Sequence, residues 1–172
     1  LLIGCGLLGS SLLRRIHKKK IAKKIFVYEK SKKNILKIKR LRLPGIIVNK
    51  LSNVVSKSEF IIFCTPMSEY KKLILKINKD LTTSHIITDI GSSKLETKVV
   101  VKKVLKRNIS WTSSHPIAGS EVSGPENGKH NLFENKWCVL IKDKKTNLRH
   151  LNFLNSFWKK MGSKVVIMNS EK

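Results

Sequence analysis

The sequence predicts an α/β fold, a doubly wound and mostly parallel sheet with helices on both faces. Three observations predict it. Short apolar runs alternate with stretches of helical character along the whole chain, the order that parallel strands joined by crossover helices require. The runs are apolar throughout instead of alternating with polar residues, as strands covered on both faces are. A glycine-rich loop, Gly4-Cys5-Gly6-Leu7-Leu8-Gly9, stands between the first run and the first helical stretch.

Leu1-Leu2-Ile3 reads as the last half of a first strand. Further strands are expected at Ile25–Tyr28, Phe60–Cys64, His85–Asp89, Ile109–Thr112, Cys138–Ile141 and Lys164–Ile167. Helices are expected near Leu7–Lys20, Lys32–Arg42, Glu69–Lys79, Lys94–Arg107 and Asn147–Met161. His115 to Asn131 is one long irregular stretch punctuated by Pro116, Gly119, Gly124, Pro125 and Gly128. A loop of that length inside a compact domain is usually functional or disordered; the apolar Ile117 and Ala118 within it argue for order. Residues 1–172 are expected to form one domain. The half-strand at the start and the stop at Lys172 just after a strand suggest a piece of a longer protein.

Lysine and arginine total 36 against 11 acids, a net charge of +25. The lysines are scattered over nearly every expected helix, and the densest stretch, Arg14 to Arg42, lacks the interleaved aromatics of a single-strand binding platform. They read as solvated helix faces, with a polyanion site as the alternative. No apolar run approaches the roughly 18 residues that would span a bilayer. The three cysteines, Cys5, Cys64 and Cys138, have neither zinc-site nor disulfide-framework spacing. They read as small apolar residues in a reducing compartment, the cytoplasm, and no metal is expected.

The glycine loop follows an apolar run and opens a helix, the context that a dinucleotide fingerprint of the Rossmann type requires. Gly4 suits the tight turn, Gly6 lets backbone approach a pyrophosphate, and Gly9 lets helix and strand pack closely. Leu7 and Leu8 begin the helix, whose N–H groups and dipole favour phosphate. Glu29 lies 20 residues past Gly9 at the end of the next strand, where an acid binds the ribose hydroxyls of NAD. NAD is therefore the expected cofactor, with NADP possible because Lys30, Ser31, Lys32 and Lys33 follow at once. Thr65 and Pro66 leave a strand at its carboxyl end, a place either for cofactor contact or for a plain turn.

Asp89-Ile90-Gly91-Ser92-Ser93-Lys94 leaves the next strand. The hydroxyls of Ser92 and Ser93 suit either a helix cap or a substrate at the same crevice. His115-Pro116-Ile117-Ala118-Gly119-Ser120-Glu121 is the most specific string. It follows the expected strand Ile109–Thr112, which places His115 at a carboxyl end, where it can meet a substrate lying over the nicotinamide. Oxidising a carbinol by hydride transfer requires its hydroxyl proton to leave, and a neutral imidazole suits that task. His17, His85, His130 and His150 read as surface or structural residues.

Together these strings, with Ser123-Gly124 and Leu132-Phe133-Glu134-Asn135-Lys136, resemble the prephenate/arogenate dehydrogenase family in order and spacing over essentially the whole chain. The resemblance implies oxidation of a ring carbinol of prephenate or arogenate, hydride transfer to NAD(P) and loss of CO2, giving 4-hydroxyphenylpyruvate or tyrosine. It implies His115 as base, Ser92 as the serine that positions the ring hydroxyl, and Glu121 as an acid near the substrate. Ser93 stands where the family usually has a hydrophobic residue, so Ser93 is a second candidate for the substrate hydroxyl. The family carries a further helical domain for dimerisation and substrate binding, expected to lie outside this chain, with a homodimer only in the full-length protein. Two other readings remain: a β-hydroxyacid or 6-phosphogluconate-type dehydrogenase, and a basic nucleic-acid-binding module.

Overall fold

A computed structural model describes residues 1–119 and 121–169. Ser120 of the His115–Glu121 string, and the closing Ser170-Glu171-Lys172, lie outside the described residues. Five strands form one parallel sheet: β1 (Leu2–Ile3), β2 (Phe26–Tyr28), β3 (Ile46–Val48), β4 (Phe60–Phe63) and β5 (Ile86–Asp89), in the order β3-β2-β1-β4-β5. The short β1 is central, with Leu2 opposite both Val27 and Ile62, and its two side chains are buried. The chain winds outward from β1 through β2 to β3, then returns to lay β4 on the other side of β1. That reversal opens a crevice at the carboxyl ends of β1 and β4, where ligands of such sheets bind.

A smaller sheet follows, in the order β6 (Ser114–Pro116), β7 (Trp137–Lys142), β8 (Lys164–Asn169), with β6 antiparallel and β8 parallel to β7. It is joined to β5 by a bridge between Ile87 and Trp111 and by a 2.7 Å hydrogen bond between the Thr88 and Ser114 hydroxyls.

Helices cover both faces. On one, α1 (Leu7–Lys18), α2 (Lys32–Arg40) and α5 (Leu148–Met161) bury Leu12, Leu13, Ile38, Leu154 and Trp158 in a single cluster. On the other, α3 (Tyr70–Ile77) buries Tyr70, Ile74 and Ile77 against Ile3 and Phe63, and α4 (Lys94–Val104) adds Val100, Val101 and Val104 at its edge. Ser31 caps α2 through Asn34 N–H at 3.2 Å. Asn147 caps α5, and Gly162, at φ +95°, ends it in the left-handed conformation that glycine adopts without strain. The lysines of Lys18–Lys20, Lys23–Lys24 and Lys32–Lys33 all face solvent. Among the described residues no helix is long and apolar enough to cross a membrane.

Two expectations need correction. β3 was not anticipated: it is a three-residue edge strand, half exposed at Ile46, whose apolar signal is too short to stand out from the lysines before it. The strand expected at Ile109–Thr112 reduces to the single bridge at Trp111, because the Trp111 indole turns onto Phe63 and Tyr70 and donates to Asp89. Regular pairing starts at Ser114, so His115 lies inside β6, opposite Val139, and not past a strand's end.

From Glu121 on, the long stretch after β6 is held by its anchors. It runs over α1 and α2, where Arg14 donates to the Pro125 carbonyl at 3.1 Å, Lys129 N–H donates to the Ser11 hydroxyl at 3.0 Å, and Lys37 pairs with Glu126. Phe133 is fully buried against Trp158, and Glu134 pairs with Arg15 at 2.6 Å. The Leu132-Phe133-Glu134 string is thus an anchor of the core.

Candidate active site

The glycine loop leaves β1 and turns at Gly4, with φ +96°, a conformation that favours glycine. A Cβ there would lie 2.8 Å from the Cys64 carbonyl oxygen, and one at Gly9 would lie 2.3 Å from the Gly4 oxygen. These two glycines are required by contact within the protein. A Cβ at Gly6 would meet nothing within 4 Å. The space in front of Gly6 is open, and Gly6 is the N-cap of α1, with no side-chain cap and no acid in the first turn. The first N–H groups of a helix have no intrahelical partners, so a bare, positively polarised helix end faces open space, the condition for holding a pyrophosphate. Leu7 and Leu8 are half-buried, with Leu8 packed on the core. Burial pushes the Cys5 thiol up to about 12, so this loop carries no thiolate to oppose an anion.

Beside the loop lies a cleft of about 480 Å³ that brings together Gly4, Tyr28, Glu29, Ser31, Thr65 and Pro66. The Glu29 carboxylate accepts from Cys5 N–H and from Ser31 N–H, each at 2.8 Å, one on each oxygen. It therefore joins the glycine loop to the start of α2 and keeps lone pairs for a diol. Thr65 lines the cleft, and its hydroxyl is buried without a hydrogen-bond partner among the described residues. Residues and space together fit a dinucleotide.

The second half of the site lies at the end of β5. Asp89 is fully buried, and its carboxylate accepts from Gly91 N–H at 3.1 Å, Trp111 Nε1 at 3.1 Å and Lys94 Nζ at 2.8 Å. Lys94 also donates to the Ser114 carbonyl at 2.5 Å, one residue before His115. Removing one partner from an ion pair buried this way costs roughly 3–5 kcal/mol. His115 is half-buried; burial, and then the neighbouring Lys94 ammonium, hold its imidazole below the usual histidine range, while Asp89 opposes them. It is neutral near neutral pH and able to accept a proton.

Ser92 is exposed on the turn into α4, and Ser93 is its N-cap residue. The capping role is not made: the Ser93 side chain forms no cap bond, and the Ser93 carbonyl instead takes the Thr97 hydroxyl at 3.0 Å. Glu121 is exposed on the loop after β6. Among the other histidines, His17 and His130 are exposed and His85 and His150 buried. The three cysteines are free, and among the described residues no three His, Cys, Asp or Glu side chains are grouped to hold a metal. Asp89, Lys94 and Trp111 carry no recognisable role in the sequence alone. The available signal was a charged residue ending a buried strand, with an opposite charge five residues on.

Fold and site define a nucleotide-binding domain of the Rossmann type. Residues 12–167 match the family described as prephenate dehydrogenase, nucleotide-binding domain, and the chain belongs to that family. It is similar to a cyclohexadienyl dehydrogenase of Zymomonas mobilis, 27% identical over 99% of this chain and 58% of that protein. It is likewise similar to a prephenate dehydrogenase of Bacillus subtilis, 27% identical over 99% of this chain and 46% of that one. Among solved structures, the prephenate dehydrogenase of Aquifex aeolicus in complex with hydroxyphenyl propionate and NAD+ superposes with a TM-score of 0.84 at 26% identity, over 99% of this chain and 59% of that one. The chain thus spans about half to three-fifths of the length of these relatives.

Proposed function

We propose that the chain is the cofactor-binding and proton-abstracting part of an oxidoreductase of tyrosine biosynthesis, acting on prephenate or arogenate with NAD as cofactor and NADP as the alternative. The observation that carries this reading is a half-buried, neutral His115 at the same end of the sheet as an open glycine loop. Family membership and the likeness to an enzyme solved with NAD+ support it.

Bound in the crevice, the nicotinamide supplies a hydride acceptor. His115 takes the hydroxyl proton while the carbinol carbon becomes a carbonyl. The carboxylate on the far side of the ring then leaves as CO2; its bonding electrons complete the aromatic ring and leave a phenolate oxygen, which takes the proton back from His115. The products are a phenol (4-hydroxyphenylpyruvate or tyrosine), CO2 and the reduced cofactor. Ser92 orients the ring hydroxyl, with Ser93 as the neighbouring donor, and Glu121 orders the substrate side. Gly4, Gly6, Leu7, Leu8 and Gly9 hold the pyrophosphate end, and Glu29, Thr65 and Pro66 the adenosine end. The full-length protein works as a cytoplasmic homodimer, with a further helical domain completing the substrate pocket.

The test is an assay of the full-length protein with prephenate and arogenate, each with NAD and NADP, followed by reduced-nicotinamide absorbance and CO2 release. Reduction with one pair is expected. A folded protein that binds cofactor yet reduces it with neither substrate points instead to a β-hydroxyacid dehydrogenase.

A further inference from the structure

We propose that Lys94 is a positioning residue for His115: its ammonium ties the end of β5 to β6 just ahead of the imidazole and keeps beside it a positive charge that opposes a second one on the ring. The inference rests on the reading of His115 as the base.

Lys94 stands where a lysine is costly. Lysine is seldom buried, and a cation in the first turn of a helix faces the positive end of the dipole. Yet Lys94 opens α4 and folds back into the protein, its side chain only 16% exposed. Burial alone pushes its ammonium toward losing the proton, and Asp89 pulls the other way. Asp89 already has two N–H partners, from Gly91 and Trp111, so Lys94 serves it as counter-ion to a buried charge, and the ammonium also reaches beyond that pair. A lysine adds two things that an apolar side chain cannot. It donates to the Ser114 carbonyl, which fixes β6 against β5, and it places a charge near His115.

The charged groups that act on the His115 imidazole are Lys94 from α4 and Asp89 from β5, while the Cys138 thiol of β7 meets the His115 backbone. Burial pushes that thiol up to about 12, so it carries no charge. The balance is therefore between one ammonium and one carboxylate, and the ammonium weighs more on the imidazole. A base must be neutral to accept a proton, so a second positive charge disfavoured at the ring extends the active range toward lower pH.

Two readouts on the full-length protein test this: the titration midpoint of His115 by histidine-selective NMR, and the acid limb of kcat/KM against pH. Lys94→Met is expected to raise the midpoint by about one pH unit, the usual scale for a neighbouring charge, and to move the acid limb upward with it. Lys94→Arg keeps the charge and the low midpoint. If Lys94→Met lowers the rate while midpoint and limb stay where they are, the lysine is merely structural and the proposal is overturned. Should Lys94→Met not fold, the double variant Asp89→Asn/Lys94→Met leaves no unpaired charge. Its His115 midpoint is expected above that of the wild type, and a midpoint at or below the wild-type value overturns the proposal. Inactivity of the wild type with prephenate and arogenate would sink the functional reading, while the NMR midpoint would still decide on Lys94.

Discussion

The glycine loop and the His115 corner sit at the same end of the sheet and are built in opposite ways. The loop is made of backbone and of absent side chains. Its glycines and its one carboxylate all come from β1, the turn after it and the end of β2, and that carboxylate is tied to two N–H groups. The corner is made of side chains from β5, α4, β6 and the Trp111 bridge, with a fully buried carboxylate and a nearly buried ammonium. A binding surface for a polyanion needs room and exposed N–H groups, which a short motif encodes. A proton acceptor needs a set electrostatic environment, which only contacts distant in sequence provide. If the two halves are separable, a change in one should spare the other.

The largest separation is expected for His115→Asn in the full-length protein. If His115 is the base, its loss costs about 10²–10⁴-fold in turnover, while the affinity for NAD should stay within twofold of wild type. Steady-state kinetics and cofactor titration on the same preparation measure both. A parallel loss of NAD affinity would mean that β6 helps shape the nucleotide cleft, and the two-part description would fail.

A pair of glycine substitutions sharpens the other half. In a helix interior Gly→Ala normally gains about 1 kcal/mol. At Gly9 the added methyl carbon would sit 2.3 Å from the Gly4 oxygen, so α1 must lift from β1, and a stability loss of about 1–3 kcal/mol is expected instead. At Gly6 the methyl meets nothing, and only the poorer cap counts, at under about 1 kcal/mol. Gly6→Ala should nevertheless weaken NAD binding, since the methyl occupies the space before the helix end. Urea midpoints with and without NAD separate the two effects. A Gly6→Ala protein that NAD stabilises as much as wild type would remove Gly6 from the phosphate site.

The same division explains what the sequence revealed. The glycine loop, Glu29 and the five helices are legible because each is a local signal: a spacing, a strand end or an apolar period. The observed helices keep the expected starts to within one residue, and α1 and α4 stop two and three residues short of the expected ends, at Lys18 and Val104. The edge strand Ile46–Val48 is too short for periodicity to register. The Asp89–Lys94–Trp111 set was not legible, because its meaning depends on Trp111 turning back toward β5 and on Lys94 reaching the carbonyl of a residue twenty positions away. The Leu132-Phe133-Glu134 string was legible as a family mark but not for its purpose, since the partners Trp158 and Arg15 come from opposite ends of the chain.

A change of about tenfold in preference is the most discriminating readout for the cofactor. Glu29 carries both a charge that repels a ribose phosphate and two acceptors that hold the loop and the start of α2. Glu29→Ser removes all three and confounds affinity with loop order. Glu29→Gln removes the charge, keeps one carbonyl oxygen as acceptor, and presents an amide to the second N–H. If repulsion sets the preference, Glu29→Gln alone should move the NADP:NAD ratio of kcat/KM toward NADP by about tenfold, equivalent to roughly 1.4 kcal/mol. The nearby Lys30, which pairs with Glu69 at 3.6 Å across the same cleft, is available to meet the added phosphate. An unchanged ratio with Glu29→Gln, alongside a changed one with Glu29→Ser, would assign the preference to loop geometry and leave the carboxylate's charge without a role in it.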